Sequence, residues 1–133
     1  MTGFYAYLDG SGGASGSQQL RVAQYTTDNN GHPATLAGAS SVVSIPAGQP
    51  AGWVYFPVQV PFQAVGNWLT IQSGDVGGVA RDYGAVSGGS WIGAAAPFQS
   101  QAPATFPAST STSSTALSVY GVCTVVPFNP IPQ

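Results

Sequence analysis

The chain has 133 residues, and only six carry a formal charge: Asp9, Arg21, Asp28, Asp75, Arg81 and Asp82, for a net charge of −2. Ordinary soluble domains are about a quarter charged, so here Ser, Thr, Gln, Asn, Gly and Pro must coat the surface that charge usually covers. The absence of a basic patch argues against binding DNA or RNA, and no apolar run approaches the ~20 residues of a membrane-spanning helix.

The length fits one domain, expected over residues 1–126, with 127–133 as a tail. Glu and Lys, both good helix formers, are absent, while Val, Thr and aromatic residues recur among 18 Gly and 11 Pro. That mixture favours strands and turns. Phe4–Leu8 reads as a first strand, followed by a Gly/Ser loop over 9–17. Gln19–Thr27 alternates as a second strand. Asn30-Gly31, in the turn 28–33, supplies the dihedrals of a tight reversal. Short strands follow at 35–40 and 41–45, then a break at Pro46-Ala47-Gly48-Gln49-Pro50. Gly52–Val60 is the next strand, and Pro57 within it signals an edge or a bulge. Asn67–Ser73 alternates most clearly, with Leu69 and Ile71 inward. Strands at 79–83 and 90–92 and a last strand at 115–126 complete the series.

Residues 94–114 carry no charge and three Pro. They read as a long irregular loop, of the kind that is functional or disordered, with Phe98 and Phe106 as the side chains that would pin it to a surface. The tail Pro127-Phe128-Asn129-Pro130-Ile131-Pro132-Gln133 is Pro-rich and too apolar for an ordinary solvated terminus. Strands at regular spacing with Gly/Pro turns and no helical period predict an all-β fold, an antiparallel β-sandwich or barrel.

The chemistry available is narrow. His32 is the single His and sits in an Asn-Gly-His-Pro turn, so a Ser-His-Asp arrangement has no oriented base. Without His, Cys, Lys or Glu clusters, nucleophilic catalysis and a tight transition-metal site lack their parts. Asp28, Asp75 and Asp82 follow no calcium-loop pattern, and Asp residues in turns cap their own backbone. A carboxylate pair such as Asp9 and Asp82 would be needed for a glycosidase, but turn or ion-pair roles suit them better. Arg81 is expected to pair with an Asp across a sheet, and Arg21 to hold a loop by donating to its carbonyls. Cys123 alternates with the apolar face of the last strand and is expected to be buried. Trp53 and Tyr55 share one strand face, as do Tyr5 and Tyr7. Such aromatics ordinarily fill cores and interfaces, and where exposed they stack on sugars.

Tyr7-Leu8-Asp9-Gly10, Gly16-Ser17-Gln18, Arg21 and Tyr25 are similar to the opening of a jelly-roll β-sandwich module. The similarity continues through Gly31-His32-Pro33, Leu36, Ala47-Gly48-Gln49, Gly52-Trp53-Val54 and Val65 to Leu69. It extends over Ser73-Gly74, Gly78-Val79-Ala80-Arg81-Asp82-Tyr83 and Leu117-Ser118-Val119-Tyr120. The module is known from bacterial surface proteins and from head- and tail-associated proteins of phages infecting actinobacteria, and its fold is like that of carbohydrate-binding jelly rolls. The resemblance covers about residues 4–120. In that module more chain usually precedes the first strand, so a neighbouring chain is expected to supply a missing one.

The resemblance implies a non-enzymatic virion protein without a cofactor, a head decoration protein on the assembled major capsid protein. Sister subunits would be further partners, with a trimer as the implied oligomer. Pro127, Phe128, Pro130, Ile131 and Pro132, together with Phe98 and Phe106, are the expected contact residues. The alternative is a glycan-binding module on a phage tail or host-facing surface, stacking sugars on Trp53, Tyr55 and Trp91. Met1-Thr2-Gly3-Phe4 shows neither the basic nor the apolar region of a secretion signal. Synthesis is therefore expected in the host cytoplasm, and the resemblance implies the virion surface as the final location.

Overall fold

The computed structural model describes residues 1–66, 68–74, 78–85, 91–94, 97–114 and 116–124. They contain twelve strands and no helix: β1 (Gly3–Asp9), β2 (Ser17–Thr27), β3 (Pro33–Ala39), β4 (Val43–Pro46), β5 (Gly52–Pro57), β6 (Trp68–Gly74), β7 (Arg81–Asp82), β8 (Gly84–Ala85), β9 (Trp91–Gly93), β10 (Ser111–Ser113), β11 (Ala116–Leu117) and β12 (Val119–Val122). The expected tail at 127–133 lies outside the described residues.

Two four-stranded antiparallel sheets form a β-sandwich. In the first, β1 is central: β5 pairs along one edge, and β12 and β7 share the other. In the second, β2 is central, with β6 on one edge and β3 and β4 on the other. Two short ribbons, β8 with β11 and β9 with β10, complete the pairing.

Strand alternation decides which side chains enter the core. Phe4, Ala6 and Leu8 of β1 and Phe56 of β5 point inward against Leu20 and Val22 of β2 and Ile45 of β4. Leu69 and Ile71 of β6 pack against this cluster as expected. The reversal between β2 and β3 also forms as its sequence predicts. Gly31 takes a φ of 83°, and the Asp28 carboxylate accepts from the Asn30 and His32 amides at 2.8 and 2.9 Å. Asp28 and His32 are exposed turn residues.

Three expectations need correction. The predicted strand 52–60 stops at Pro57, which sits opposite Gly3 and closes the pairing of β5 with β1. The predicted strand 115–126 divides at Ser118, where the chain passes from pairing with β8 to pairing with β1, and it ends at Val122. Cys123 consequently falls beyond the last paired residue and is exposed rather than buried.

The long segment 94–114 is ordered by this chain's own second sheet over its described part. Arg21 points away from the core yet is only 3 % exposed, and Tyr25, on the same strand, is fully enclosed. The segment covers them. Arg21 Nη1 donates to the Gln99 and Ser100 carbonyls, both at 3.2 Å, and Nε donates to Gln72 Oε1 at 3.0 Å. The guanidinium also lies 4.7 Å from the centre of the Phe98 ring. Tyr25 donates its hydroxyl to the Pro103 carbonyl at 2.7 Å and meets Phe106 edge to face at 5.3 Å. The Leu36 amide donates to Ala104 and the Phe106 amide to Ala34, both at 2.8 Å, so the segment extends the edge of β3. Arg21 thus holds a loop through its carbonyls, as its sequence context predicted.

Candidate functional site: an aromatic array on the first sheet

The inward set of the first sheet is Phe and aliphatic, and the outward set is Tyr and Trp. Tyr5 and Tyr7 project from β1, Trp53 and Tyr55 from β5, and Tyr120 from β12. Register aligns them: Tyr5 stands opposite both Tyr55 and Tyr120, and Tyr7 opposite Trp53. Tyr83 follows β7 and is brought beside Tyr7 by an amide that donates to the Tyr7 carbonyl at 3.3 Å. The result is two rows of three rings, Tyr55–Tyr5–Tyr120 and Trp53–Tyr7–Tyr83.

Neighbouring rings touch throughout. Tyr5 lies 5.0 Å from Tyr55 and stacks on Tyr120 at 5.3 Å. Tyr7 meets Trp53 and Tyr83 edge to face, each at 5.4 Å. Trp53 also reaches across β1 to Tyr120 at 5.1 Å, joining the two rows. Pairs of this geometry add about 0.5–1.5 kcal/mol each beyond area burial, so the rings hold one another in place without a partner. The outer members remain open: Trp53 is 50 % exposed, Tyr55 45 %, Tyr120 43 % and Tyr83 42 %. The four exposed rings thus form one contiguous aromatic patch on the outer face of the first sheet.

Two local features set the array. The end of the Tyr55 ring reaches over Gly3, where a Cβ would meet it, and its hydroxyl donates to the Thr2 carbonyl at 3.3 Å. At the opposite corner the Tyr83 hydroxyl donates to Asp9 Oδ2. Asp9 Oδ1 accepts from the Ser11 amide at 2.9 Å and from the Ser11 hydroxyl at 2.7 Å.

These hydrogen bonds, led by that from Tyr83, hold the Asp9 carboxyl below its usual range, and the Asp9 partner in turn raises the Tyr83 hydroxyl. The Asp28 carboxyl is lowered too, chiefly by the His32 amide, and burial raises the Tyr25 hydroxyl. A carboxyl whose folded pKa is depressed contributes stability that is present above the unfolded value and lost as pH falls through the folded one. A raised phenol contributes stability that is lost as pH rises through its folded value. Stability is therefore expected to be flat between about 3.8 and 10.0, the unfolded values, and to fall outside that window. Asp9→Asn should flatten the acid limb. A steep unfolding transition between mild acid and neutral pH would contradict this account, as would an unchanged acid limb in the variant.

Of the residues expected to stack on a glycan, Trp53 and Tyr55 join the array, while Trp91 lies on the separate β9–β10 ribbon opposite Ser113. Of the expected partner contacts, Phe98 and Phe106 are half-buried against Arg21 and Tyr25 of the same chain. Pro127, Phe128, Pro130, Ile131 and Pro132 lie outside the described residues, as does Asp75. The array also takes in Tyr5, Tyr7, Tyr83 and Tyr120, which sequence reasoning does not assign to the site. The alternation of Tyr5 and Tyr7 opposite Phe4, Ala6 and Leu8 was the signal for the first two.

A cavity of about 830 Å³ opens beside β6, walled by Trp68, Gln72, Phe98, Phe106, Leu117 and Arg21. Its polar groups are already engaged: Arg21 in the bonds above, Trp68 Nε1 with the Gly31 carbonyl at 3.2 Å, and Gln72 Nε2 with the Tyr25 hydroxyl at 3.2 Å. Among the described residues no three His, Cys, Asp or Glu side chains come together. Arg81 stands opposite Asp9 in register, and its positive charge, on an exposed side chain, adds to the lowering of the Asp9 carboxyl. Comparison with known proteins gives no match: no family model, curated protein or solved structure aligns with this chain.

Proposed function

We propose that this is a non-enzymatic structural protein of a bacteriophage particle, a head decoration protein that docks a β-sandwich of jelly-roll type on the assembled capsid. The observation that carries the reading is the near absence of charge from its surface. Arg21 and Asp9 are buried, which leaves Asp28, Arg81 and Asp82 as the exposed charged side chains among the described residues. A free-standing protein ordinarily resists self-association with a dense coat of charge. A neutral coat suits a chain covered by neighbours, and depletion of charge is the compositional mark of interface cores.

Repetition over a shell supports occupancy through avidity, so no single contact need be large. Among the described residues β5 pairs as a strand only with β1. Its other edge is engaged at Pro57, whose carbonyl accepts from the Ser41 amide at 2.8 Å, and the stretch before Pro57 is the proposed place for a partner strand to pair. Major capsid protein and sister subunits are the proposed partners, with Pro127, Phe128, Pro130, Ile131 and Pro132 among the proposed contact residues.

The test is cosedimentation of the purified chain with undecorated particles of the phage that encodes it. Saturable binding at a fixed ratio to the major capsid protein is expected. Occupancy should change little with added salt, because few exposed charges are available to be screened. Absence of binding, or binding lost on modest addition of salt, would overturn the reading. Removal of 127–133 is expected to lower occupancy.

A further inference from the structure

The aromatic array has a chemistry more specific than general stickiness. Its six members are Tyr and Trp alone. Protein-docking surfaces also draw on Phe, Met and Arg, and none of these belongs to it. Every ring here pairs an apolar face with a polar handle, five hydroxyls and one indole N–H.

The array is also neutral over most of its extent. Charge gathers only at the Tyr83 corner, where Asp9 is engaged and Arg81 and Asp82 are exposed. A stacking ligand that carries phosphates finds no matching row of cations, which sets single-stranded nucleic acid aside. The dimensions are those of a short oligomer: a row of three rings crosses two inter-strand spacings, about 10 Å, and the two rows stand about 7 Å apart. The position of one ring depends on the backbone: because Gly3 has no Cβ, the end of the Tyr55 ring, Cε2, Cζ and the hydroxyl, reaches over it.

We infer that this face binds a neutral polysaccharide, with the apolar faces of pyranose rings packed against the exposed outer rings, Trp53, Tyr55, Tyr120 and Tyr83, and the sugar hydroxyls met by the Tyr hydroxyls at the rim. The mutual ring contacts preorganise the platform, so little side-chain freedom is lost on binding. This inference does not depend on the capsid reading. A decoration protein with this face turned outward would hold its particle to a glycan-coated surface.

The test is isothermal titration of the whole chain with a panel of neutral hexasaccharides: β-linked glucose, N-acetylglucosamine, xylose and mannose. Binding by at least one member is expected. Trp53→Ala should weaken it about tenfold or more, a loss of about 1.4 kcal/mol. Gly3→Ala, which displaces the Tyr55 ring but keeps every aromatic in the chain, should weaken it too. Trp68→Ala, on the second sheet, should leave it unchanged, and circular dichroism would check that each variant folds.

No binding by any member at millimolar sugar would overturn the inference, as would binding that survives Trp53→Ala or is lost in Trp68→Ala. The same Trp53→Ala chain is then cosedimented with capsids. Unchanged occupancy with lost sugar binding supports an outward glycan face. Lost occupancy without any sugar binding would make the array the capsid contact, overturning this inference while leaving the decoration reading intact. Self-association abolished by Trp53→Ala, again without sugar binding, would assign the face to a second copy and overturn it as well.

Discussion

Phe4→Ala is expected to destabilise the fold by about 3–5 kcal/mol, the usual cost of emptying a fully enclosed aromatic site. Phe4 is at 0 % exposure on the central strand of the first sheet. It stands between Phe56 of β5 and Gly121 of β12, with the Phe62 ring 6.3 Å away. The space over Gly121 is already taken by Met1 Sδ and Cε, and the site is bounded by paired strands that cannot collapse without giving up ladder hydrogen bonds. Domains of this kind have about 5–15 kcal/mol in all, so the loss is a large share of the total. With a urea dependence of about 2 kcal/mol per molar, the unfolding midpoint should fall by roughly 2 M. A fall below about 0.5 M would show that the sheets are not packed against each other through this residue.

Arg21→Ala is expected to cost about 2–4 kcal/mol, with its effect concentrated in the segment it holds. Hydrogen bonds from a charged donor are each about 1.5–3 kcal/mol net, and carbonyls left without a donor in a covered site add to the loss. The substitution releases Gln99, Ser100 and Gln72 together and removes the cation over Phe98. Arg21→Lys should recover little of it, because an ammonium does not reproduce a planar fork that serves three oxygens. Residues 97–107 contain no Lys or Arg, so trypsin would report nothing there. Chymotrypsin should cut after Phe98 many-fold faster than in the parent chain. Exchange of the Leu36 and Phe106 amides, which join β3 to the segment, should accelerate in parallel. Unchanged cleavage and exchange would mean that Tyr25 and the backbone contacts suffice to hold it.

Residue patterns made the first half of the chain legible. β1 to β4 were placed within about two residues because alternation and turn chemistry agree there: Asn30-Gly31 forces one reversal, and Pro46 to Pro50 stops β4. The second half depends on partners distant in sequence. β8 and β10 are two or three residues long and exist only through pairing with β11 and β9, so no period announces them. Ser118 breaks an otherwise continuous apolar alternation because its amide donates to Tyr83 and its carbonyl accepts from Tyr7, contacts that no local pattern encodes. Cys123 is exposed because the strand ends one residue before it, at Val122.

The array was half legible. Alternation put Tyr5 with Tyr7 and Trp53 with Tyr55, but Phe4 and Phe56 make the opposite face of the same strands equally aromatic. What separates them is the hydroxyl or indole N–H that each outward ring carries, and what assembles the six is register, which only the paired sheet fixes. Phe98 and Phe106 show the converse. Two apolar rings in a charge-free loop looked like contacts for another molecule, and the described segment directs them to the chain's own Arg21 and Tyr25.

The place of β1 in the middle of its sheet has a consequence for how the chain comes to be folded. Thr2 is bonded to Val122, 120 residues further on, and β12 completes one edge of the strand that forms first. During synthesis β1 must wait with this part of its edge unpaired until Val119–Val122 has emerged, so the first sheet cannot close before then. Non-local pairings of this reach fold slowly, and an open edge beside exposed Tyr and Trp is a template for wrong partners. A premature stop ahead of Val119 should therefore give insoluble aggregates instead of a shortened domain, and yield should rise when synthesis is slowed by lower temperature.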